Sequence, residues 1–354
     1  QTFTLRRIAA DQRAIAPQTT LDTIFKTAPY YIRRAGLDAA LRGLVTHHRA
    51  VSVSGVAGSG KSVALAQYAA DVGLPYVNGR GLDPRALLAK ATDALIGNTA
   101  NPSNPETFEE ARDAFAEAWR GASTWPLVID DPSDGDLLWS ELTAVMQETA
   151  SGVVVIGSRE QPAGFRGGSL QIEGFTQEEL ALLETVVDAD AQRHIAELPA
   201  ATTTLPLAVR SAIRPLRDEA GNAVTLRERY LALKGRRREI IACLALSGAP
   251  LSLTDISSLA DSAMDLTELS DEMASLDDLV VEDASGYSLL HDTWAAELVA
   301  VTQERAQFFD AVARKLVTLF DSTGRGWLAF QMARFANDEL AVIQAERSLR
   351  EMLY

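Results

Sequence analysis

A chain of 354 residues, 47% of them hydrophobic, can bury a sizeable core spread over roughly two to four compact modules. Its formal net charge of -15 argues against a bulk binder of nucleic acid or anionic membrane, because basic charge is mostly not concentrated locally. The only cysteine, Cys243, sits in an apolar helical run; it excludes an internal disulfide and fits a reduced, cytoplasmic setting. No apolar run reaches the roughly 18 residues of a membrane span, and no signal peptide opens the chain, so no membrane partner is expected. The chain starts at Gln1 rather than Met and ends in what reads as an unfinished helix, residues 344–354, so a piece of something longer is expected.

Residues 1–28 mix polar and scattered apolar residues without a period and read as an arm or linker. A helix follows, with Leu37, Leu41, Leu44 and Val45 on one face. Ile32 and Arg34, just ahead of it, stand where a segment can lie over a nucleotide base. Ile32 would pack on adenine and Arg34 would hold the loop, unless both are ordinary helix-start residues. The β-branched run Ala50-Val51-Ser52-Val53-Ser54 suits a buried strand, and Val63, Leu65, Ala66 and Ala69 have helical spacing. Between them lies Gly55-Val56-Ala57-Gly58-Ser59-Gly60-Lys61-Ser62, which reads G-x-x-x-x-G-K-S. Strand, glycine-rich turn and helix are the context a phosphate-binding loop requires. Gly55, Gly58, Ser59 and Gly60 let backbone N–H groups curl around phosphate oxygens, and the helix start through Val63 adds its partial positive charge. Lys61 would reach the β- and γ-phosphates and the Ser62 hydroxyl would take a place on Mg²⁺.

Next come a short strand (75–78), a helix over 83–96 with Asp83 as N-cap and Pro84 at its first position, a polar loop (97–105) and a helix through Trp119. The apolar strand Trp125-Pro126-Leu127-Val128-Ile129 ends in Asp130-Asp131. Asp130 would hold the metal, mostly through water, and Asp131 would orient or deprotonate the attacking water. A helix over 137–149 leads to another apolar strand that ends in Ser158-Arg159. An arginine at the carboxyl edge of a parallel sheet sits where ligands bind. Arg159 would sense the γ-phosphate, or else pair with Glu160 or the two aspartates. Strands alternating with helices over 29–173 predict a three-layer α/β P-loop domain with a parallel sheet.

At residue 174 the pattern turns helical. Thr176 with Glu179 is a capping box, and a helix is expected over 208–216 behind Leu205-Pro206-Leu207; Pro206 either closes over adenine or is a plain helix-start proline. This helical domain is placed at 174–225. Residues 226–303 hold a basic patch (234–238) expected as the solvated start of a helix, then helices over 239–246, 253–259 and 265–276. A hairpin of 279–281 and 287–290 follows. Three helices and a hairpin predict a winged helix. No Lys or Arg occurs between Arg238 and Arg305, so it should be repelled by a duplex and reads as an intramolecular regulatory module. His291 directly after the hairpin would donate to a nucleotide phosphate, or is incidental to a capped helix start. Residues 304–354 are amphipathic helices that would begin a helical-repeat array.

The order of P-loop, Val-Ile-Asp-Asp strand, Ser-Arg strand, Leu-Pro-Leu helix, winged helix and Leu-His-Asp resembles the STAND class of signal-transduction NTPases. The likeness is greatest to the NB-ARC branch of apoptotic and plant immune receptors and bacterial regulators, and it covers about residues 30–300. It implies that Lys61 and Ser62 bind phosphates and Mg²⁺, Asp130 and Asp131 form the second acidic motif, Arg159 is the first sensor, Pro206 the adenine-side proline, and His291 a ligand of the ADP β-phosphate. It also implies an ADP-locked monomer that exchanges to ATP, opens and oligomerises, with effector and sensor in segments outside this chain. Two positions depart from it: Arg33 precedes Arg34 where glycine is usual, and Thr204-Leu205 stands where the proline motif carries glycine. The expectation is a slow ATPase switch. The alternatives are an AAA+-like winged-helix DNA-binding regulator and a scaffold that holds ATP without cleaving it.

Overall fold

The computed structural model describes residues 32–97, 105–121, 126–132, 135–148, 152–198, 204–213, 215–218, 222–259, 265–283, 286–290, 292–335 and 342. The N-terminal arm, His291 and the expected last helix lie outside them. The chain divides into two compact units, residues 1–214 and 215–354.

In the first unit the β-branched run forms β1 (Ala50–Ser54). It is joined by β2 (Tyr76–Asn78), β3 (Pro126–Asp130), β4 (Val153–Ser158) and β5 (Gly168–Gln171) in a five-stranded sheet of order β2-β3-β4-β1-β5. Every pairing is parallel. Helices α1 (Ala35–His47) and α2 (Lys61–Val72) cover one face; α3 (Pro84–Ile96), α4 (Phe108–Gly121) and α5 (Gly135–Glu148) cover the other. Side chains alternate between the two cores: Val51, Val53, Val128 and Val155 meet Leu41 and Leu65, while Leu127, Ile129, Val154 and Ile156 meet Leu88, Phe115, Trp119 and Leu142. Burial on both faces explains why β3 and β4 read as unbroken apolar runs, each large side chain contributing about 1.5–3 kcal/mol. The sheet is therefore the centre of a three-layer α/β P-loop fold. Strand β5, the edge next to β1, has no counterpart in the sequence reading.

Asp83 caps α3, accepting from the Ala86 N–H at 2.7 Å, with Pro84 at the first position. The capping box forms in both directions: Thr176 Oγ1 accepts from the Glu179 N–H at 3.1 Å, and Glu179 Oε2 from the Thr176 N–H at 2.9 Å. It opens α6 (Gln177–Glu184), which with α7 (Ala189–Ala196) and α8 (Pro206–Ile213) encloses a small separate core of Leu180, Leu183, Val187, Ile195, Val209 and Ile32. The helix expected over 208–216 starts earlier, at Pro206, because a proline at the first position has no N–H to leave unsatisfied, and it ends at Ile213.

In the second unit, α9 (Leu226–Ala232), α10 (Gly235–Ser247), α11 (Leu253–Leu259) and α12 (Leu266–Ala274) precede an antiparallel hairpin of β6 (Val280–Asp283) and β7 (Gly286–Leu289). Then come α13 (Asp292–Gln303), α14 (Ala306–Ser322) and α15 (Gly326–Phe335). One core joins them through Tyr230, Ile241, Leu251, Leu269, Leu298 and Phe320. Leu251 adds an isolated antiparallel bridge to Tyr287, with N–H···O bonds of 2.9 and 2.8 Å. Helix α9, opened by a Thr225–Glu228 capping box, is absent from the sequence reading. The basic patch is not merely a solvated helix start: α10 begins at Gly235, and Arg236 and Arg237 pair with Glu272 at 3.7 and 3.5 Å. No described helix is long and apolar enough to cross a membrane.

Candidate functional site

Parallel strands deliver their carboxyl ends to one edge of the sheet, where open α/β folds bind ligands. Three adjacent strands, β3, β4 and β1, carry the candidate residues there. Register puts Asp130 beside Gly157 and Ser54 beside Ser158. Residues far apart in sequence thus share one rim.

After β1 the chain turns through Gly58 and Gly60 at φ 81° and 86°, a left-handed conformation that glycine adopts without a Cβ penalty. Gly55 is closely packed as well, since a Cβ there would stand 2.7 Å from Ile172 O and from Ser59 Oγ. Helix α2 begins at Lys61, and its N-cap, Gly60, supplies no side-chain hydrogen bond. The first N–H groups of that helix, Ser62 and Val63 among them, are left for an anion. Lys61 is only 8% exposed, and among the described residues no carboxylate lies within ion-pair distance of it. Burying an ammonium without a contact ion pair is costly, and a polyphosphate would supply negative charge beyond the longer-range attraction of Asp130. The Ser59 hydroxyl is buried with no hydrogen-bond partner among the described residues.

Asp130 is buried at the end of β3. Its Oδ2 accepts from the Tyr76 hydroxyl at 3.1 Å, while Oδ1 has no hydrogen-bond partner among the described residues. Burial pushes its pKa up, the positive charge of Lys61 and the Ser62 hydroxyl pull it down, and Asp131 raises it again. Burial, then the Asp130 charge, holds the Tyr76 hydroxyl well above the usual phenol range, so it stays a donor. Asp131 lies just beyond the strand at φ 50°, the one non-glycine among the described residues with positive φ, and its N–H bonds Gly157 O at 2.8 Å. Strain of this kind, about 1 kcal/mol, tends to mark working sites.

Arg159 is exposed at the end of β4 and, among the described residues, pairs with neither Glu160, Asp130 nor Asp131. The expected alternative of an edge ion pair is not formed. Arg34 is fully engaged with protein. It donates to Gly174 O at 2.7 Å, Glu173 O at 3.0 Å and Ser59 O at 3.4 Å, and its Nε reaches Glu179 Oε1 at 3.2 Å. Ile32 belongs to the α6–α8 core. The start of α8 rests on the glycine-rich loop: the Leu207 N–H bonds Gly58 O at 3.2 Å, and the Pro206 Cγ lies 3.5 Å from where a Gly60 Cβ would be.

No group of three or more His, Cys, Asp or Glu side chains suited to a metal occurs among the described residues. A hydroxyl and one carboxylate fit Mg²⁺, which keeps most of its waters and takes further oxygens from phosphates. Asp130 Oδ1, unpartnered among the described residues, suits that metal, and Lys61 suits the phosphates that would share it. Tyr76, Gly157 and Leu207 enter the site only with the structure. Gly157, closing an otherwise apolar strand, carried a signal, because a strand-end glycine marks a close approach; the other two depend on tertiary register.

No protein-family model and no curated protein matches this chain. Among solved structures it is similar to a Signal Transduction ATPase with Numerous Domains (STAND) protein with a tetratricopeptide repeat sensor from Pyrococcus horikoshii. The TM-score is 0.51 at 16% identity over 91% of this chain and 53% of that one, so this chain spans about half that protein's length. A Walker-type ATPase of Pyrococcus abyssi matches with TM-score 0.35 at 14% identity, over 75% of this chain and 95% of that one. AMPPCP-bound DnaA from Aquifex aeolicus matches with TM-score 0.31 at 14% identity, over 71% and 91% respectively.

Proposed function

Starting from the fold this chain shares with a STAND P-loop ATPase, we propose that it is an ATP/ADP-dependent switch of the STAND, NB-ARC-like kind, cytoplasmic, which binds ATP with Mg²⁺ and hydrolyses it slowly. One observation carries the reading: a buried Lys61 with no described carboxylate in ion-pair distance at the open N-terminus of α2, across one intervening strand, β4, from a buried aspartate with an oxygen unpartnered among the described residues. A triphosphate satisfies both, with its charge on Lys61 and its metal beside Asp130. In this reading the loop N–H groups and Lys61 hold the phosphates and Ser62 and Asp130 hold Mg²⁺. Asp131 orients the attacking water, and Arg159, paired with no carboxylate among the described residues, answers charge at the γ-phosphate. Mg²⁺ would supply neutralisation of the charge that develops on the phosphates.

The second unit is read as a winged helix followed by the start of a helical region. What supports this is the run α10, α11, α12, then the β6–β7 hairpin with Leu251 bridging its edge. Its lack of Lys and Arg between Arg238 and Arg305 favours a regulatory role over DNA binding. His291 is proposed as the contact through which ADP holds the closed form, and self-association as the consequence of opening. ADP and ATP bias such an equilibrium only as far as their phosphates contact the two states differently.

The test is to denature the purified chain and identify released nucleotide by chromatography, beside Lys61→Ala. Near-stoichiometric ADP from the wild type and none from the variant is the expected result. Equal nucleotide in both would overturn the site; an empty wild type that takes up ATP freely would remove the ADP lock and leave a scaffold or a fast-exchanging ATPase.

A further inference from the structure

Asp130 is held in a way the phosphate-loop motif does not require. On β3, Val128 faces the α1–α2 core, so Asp130, two residues on, shares that face. Tyr76 on β2 pairs with Val128 and belongs to the same core, and its ring runs along the sheet to bring its hydroxyl to Asp130 Oδ2 at 3.1 Å. Opposite it, Asp130 is in register with Gly157 of β4. A Cβ on Gly157 would stand 2.5 Å from Asp130 Oδ1 and would also run into Leu65 Cδ1. The carboxylate therefore leans over the one position without a side chain, on the side of the sheet where β4 adjoins β1 and its glycine-rich loop. Oδ1, the oxygen over Gly157, is the one without a hydrogen-bond partner among the described residues, although it is buried.

We propose that Tyr76 and Gly157 are positioning residues for the metal: Tyr76 ties down Oδ2, and Gly157 leaves the space that lets Oδ1 alone face the Mg²⁺ hydration shell. The proposal rests on the nucleotide-site reading above. It differs from a packing role for Tyr76, because packing needs the ring and positioning needs the hydroxyl. A freely rotating carboxylate would divide its oxygens between the metal shell and other orientations; one fixed oxygen presents the other without that loss.

Tyr76→Phe keeps the ring and removes the hydroxyl. Calorimetric titration of the full chain, first freed of copurified nucleotide, with a non-hydrolysable ATP analogue, in Mg²⁺ and in EDTA, separates metal positioning from phosphate binding. The variant should match the wild type within about twofold in EDTA and lose about tenfold of the affinity gained with Mg²⁺, the scale of a hydrogen bond to a charged group. Gly157→Ala, which leaves the Tyr76 hydroxyl in place but crowds Oδ1, should lose the same Mg²⁺-dependent gain, and Asp130→Asn should abolish it. Tyr76→Phe or Gly157→Ala retaining the full gain while Asp130→Asn loses it would overturn the proposal. A wild type that binds no analogue under either condition would overturn the nucleotide reading itself, and this proposal with it.

Discussion

Arg34→Ala should loosen the small helical core of the first unit without unfolding its sheet. The guanidinium is 13% exposed and makes two short contacts to the carbonyls of Gly174 and Glu173, a long one to Ser59 O and an ion pair with Glu179 at 3.2 Å. Hydrogen bonds from a charged donor are worth about 1.5–3 kcal/mol each. Alanine leaves room for water to reach the freed carbonyls, so the net loss comes to roughly 3 kcal/mol rather than the gross sum. At about 1.4 kcal/mol per decade, this is on the order of a hundredfold faster local opening. Hydrogen exchange read by mass spectrometry should show that acceleration in α6–α8 and in the loop around Ser59, with β3 and β4 little changed. Arg34→Lys should recover less than half of the protection, because an ammonium cannot span four acceptors on separate segments. Exchange in α6–α8 within twofold of wild type, or lysine behaving like arginine, would refute the account.

Asp131→Gly should separate stability from activity: removing strain at φ 50° stabilises by up to about 1 kcal/mol, while single-turnover ATP hydrolysis falls at least tenfold with binding retained. Denaturant melts beside the hydrolysis assay check both, and a glycine variant that hydrolyses normally removes Asp131 from the mechanism. Cys243 is buried, and burial pushes its thiol up to about 12 from 9.0. At pH 8 a chromogenic disulfide should therefore label it about a thousandfold more slowly in the native chain than in denaturant. The folded state keeps a proton that the unfolded state releases. The contribution of this thiol to stability is thus complete below pH 9.0 and falls by about 1.4 kcal/mol per pH unit from there towards 12. Rapid native labelling would contradict the burial.

Local chemistry was legible and register was not. The glycine-rich loop, the paired aspartates and the Thr176–Glu179 box each lie within a few residues, so their residue types alone announce the turn, the strand end and the cap. Strand β5 gave no such signal, because Gly-Ser-Leu-Gln has neither an apolar run nor a clean alternation, and only its parallel pairing with β1 makes it a strand. Helix α9 did carry a capping box, Thr225 with Glu228, but its single buried pair, Leu226 and Tyr230, makes too short a pattern to stand out. Tyr76 lies 54 residues before Asp130, and nothing in the strand Tyr-Val-Asn shows that its hydroxyl will meet that carboxylate. The meeting follows from β2 pairing with β3, which is decided by the sheet as a whole.

The glycine-rich loop is gripped from outside at two consecutive carbonyls. Gly58 O accepts from the Leu207 N–H at the start of α8, and Ser59 O accepts from Arg34, which also holds the chain at Glu173 and Gly174 where the helical core begins. Those carbonyls belong to the peptides whose neighbouring N–H groups would cradle phosphate, so loop conformation and helical core cannot be set independently. Leu207 Cβ lies 2.9 Å from the position a Cβ on Gly58 would take, which leaves little room for the loop to move without moving α8. A phosphate that draws the loop inward must therefore stretch or break these bonds, or carry α8 and its core along. Under the proposed switch, this would give a change at the γ-phosphate a route into the first unit's own helices, through hydrogen bonds that can be deleted one at a time.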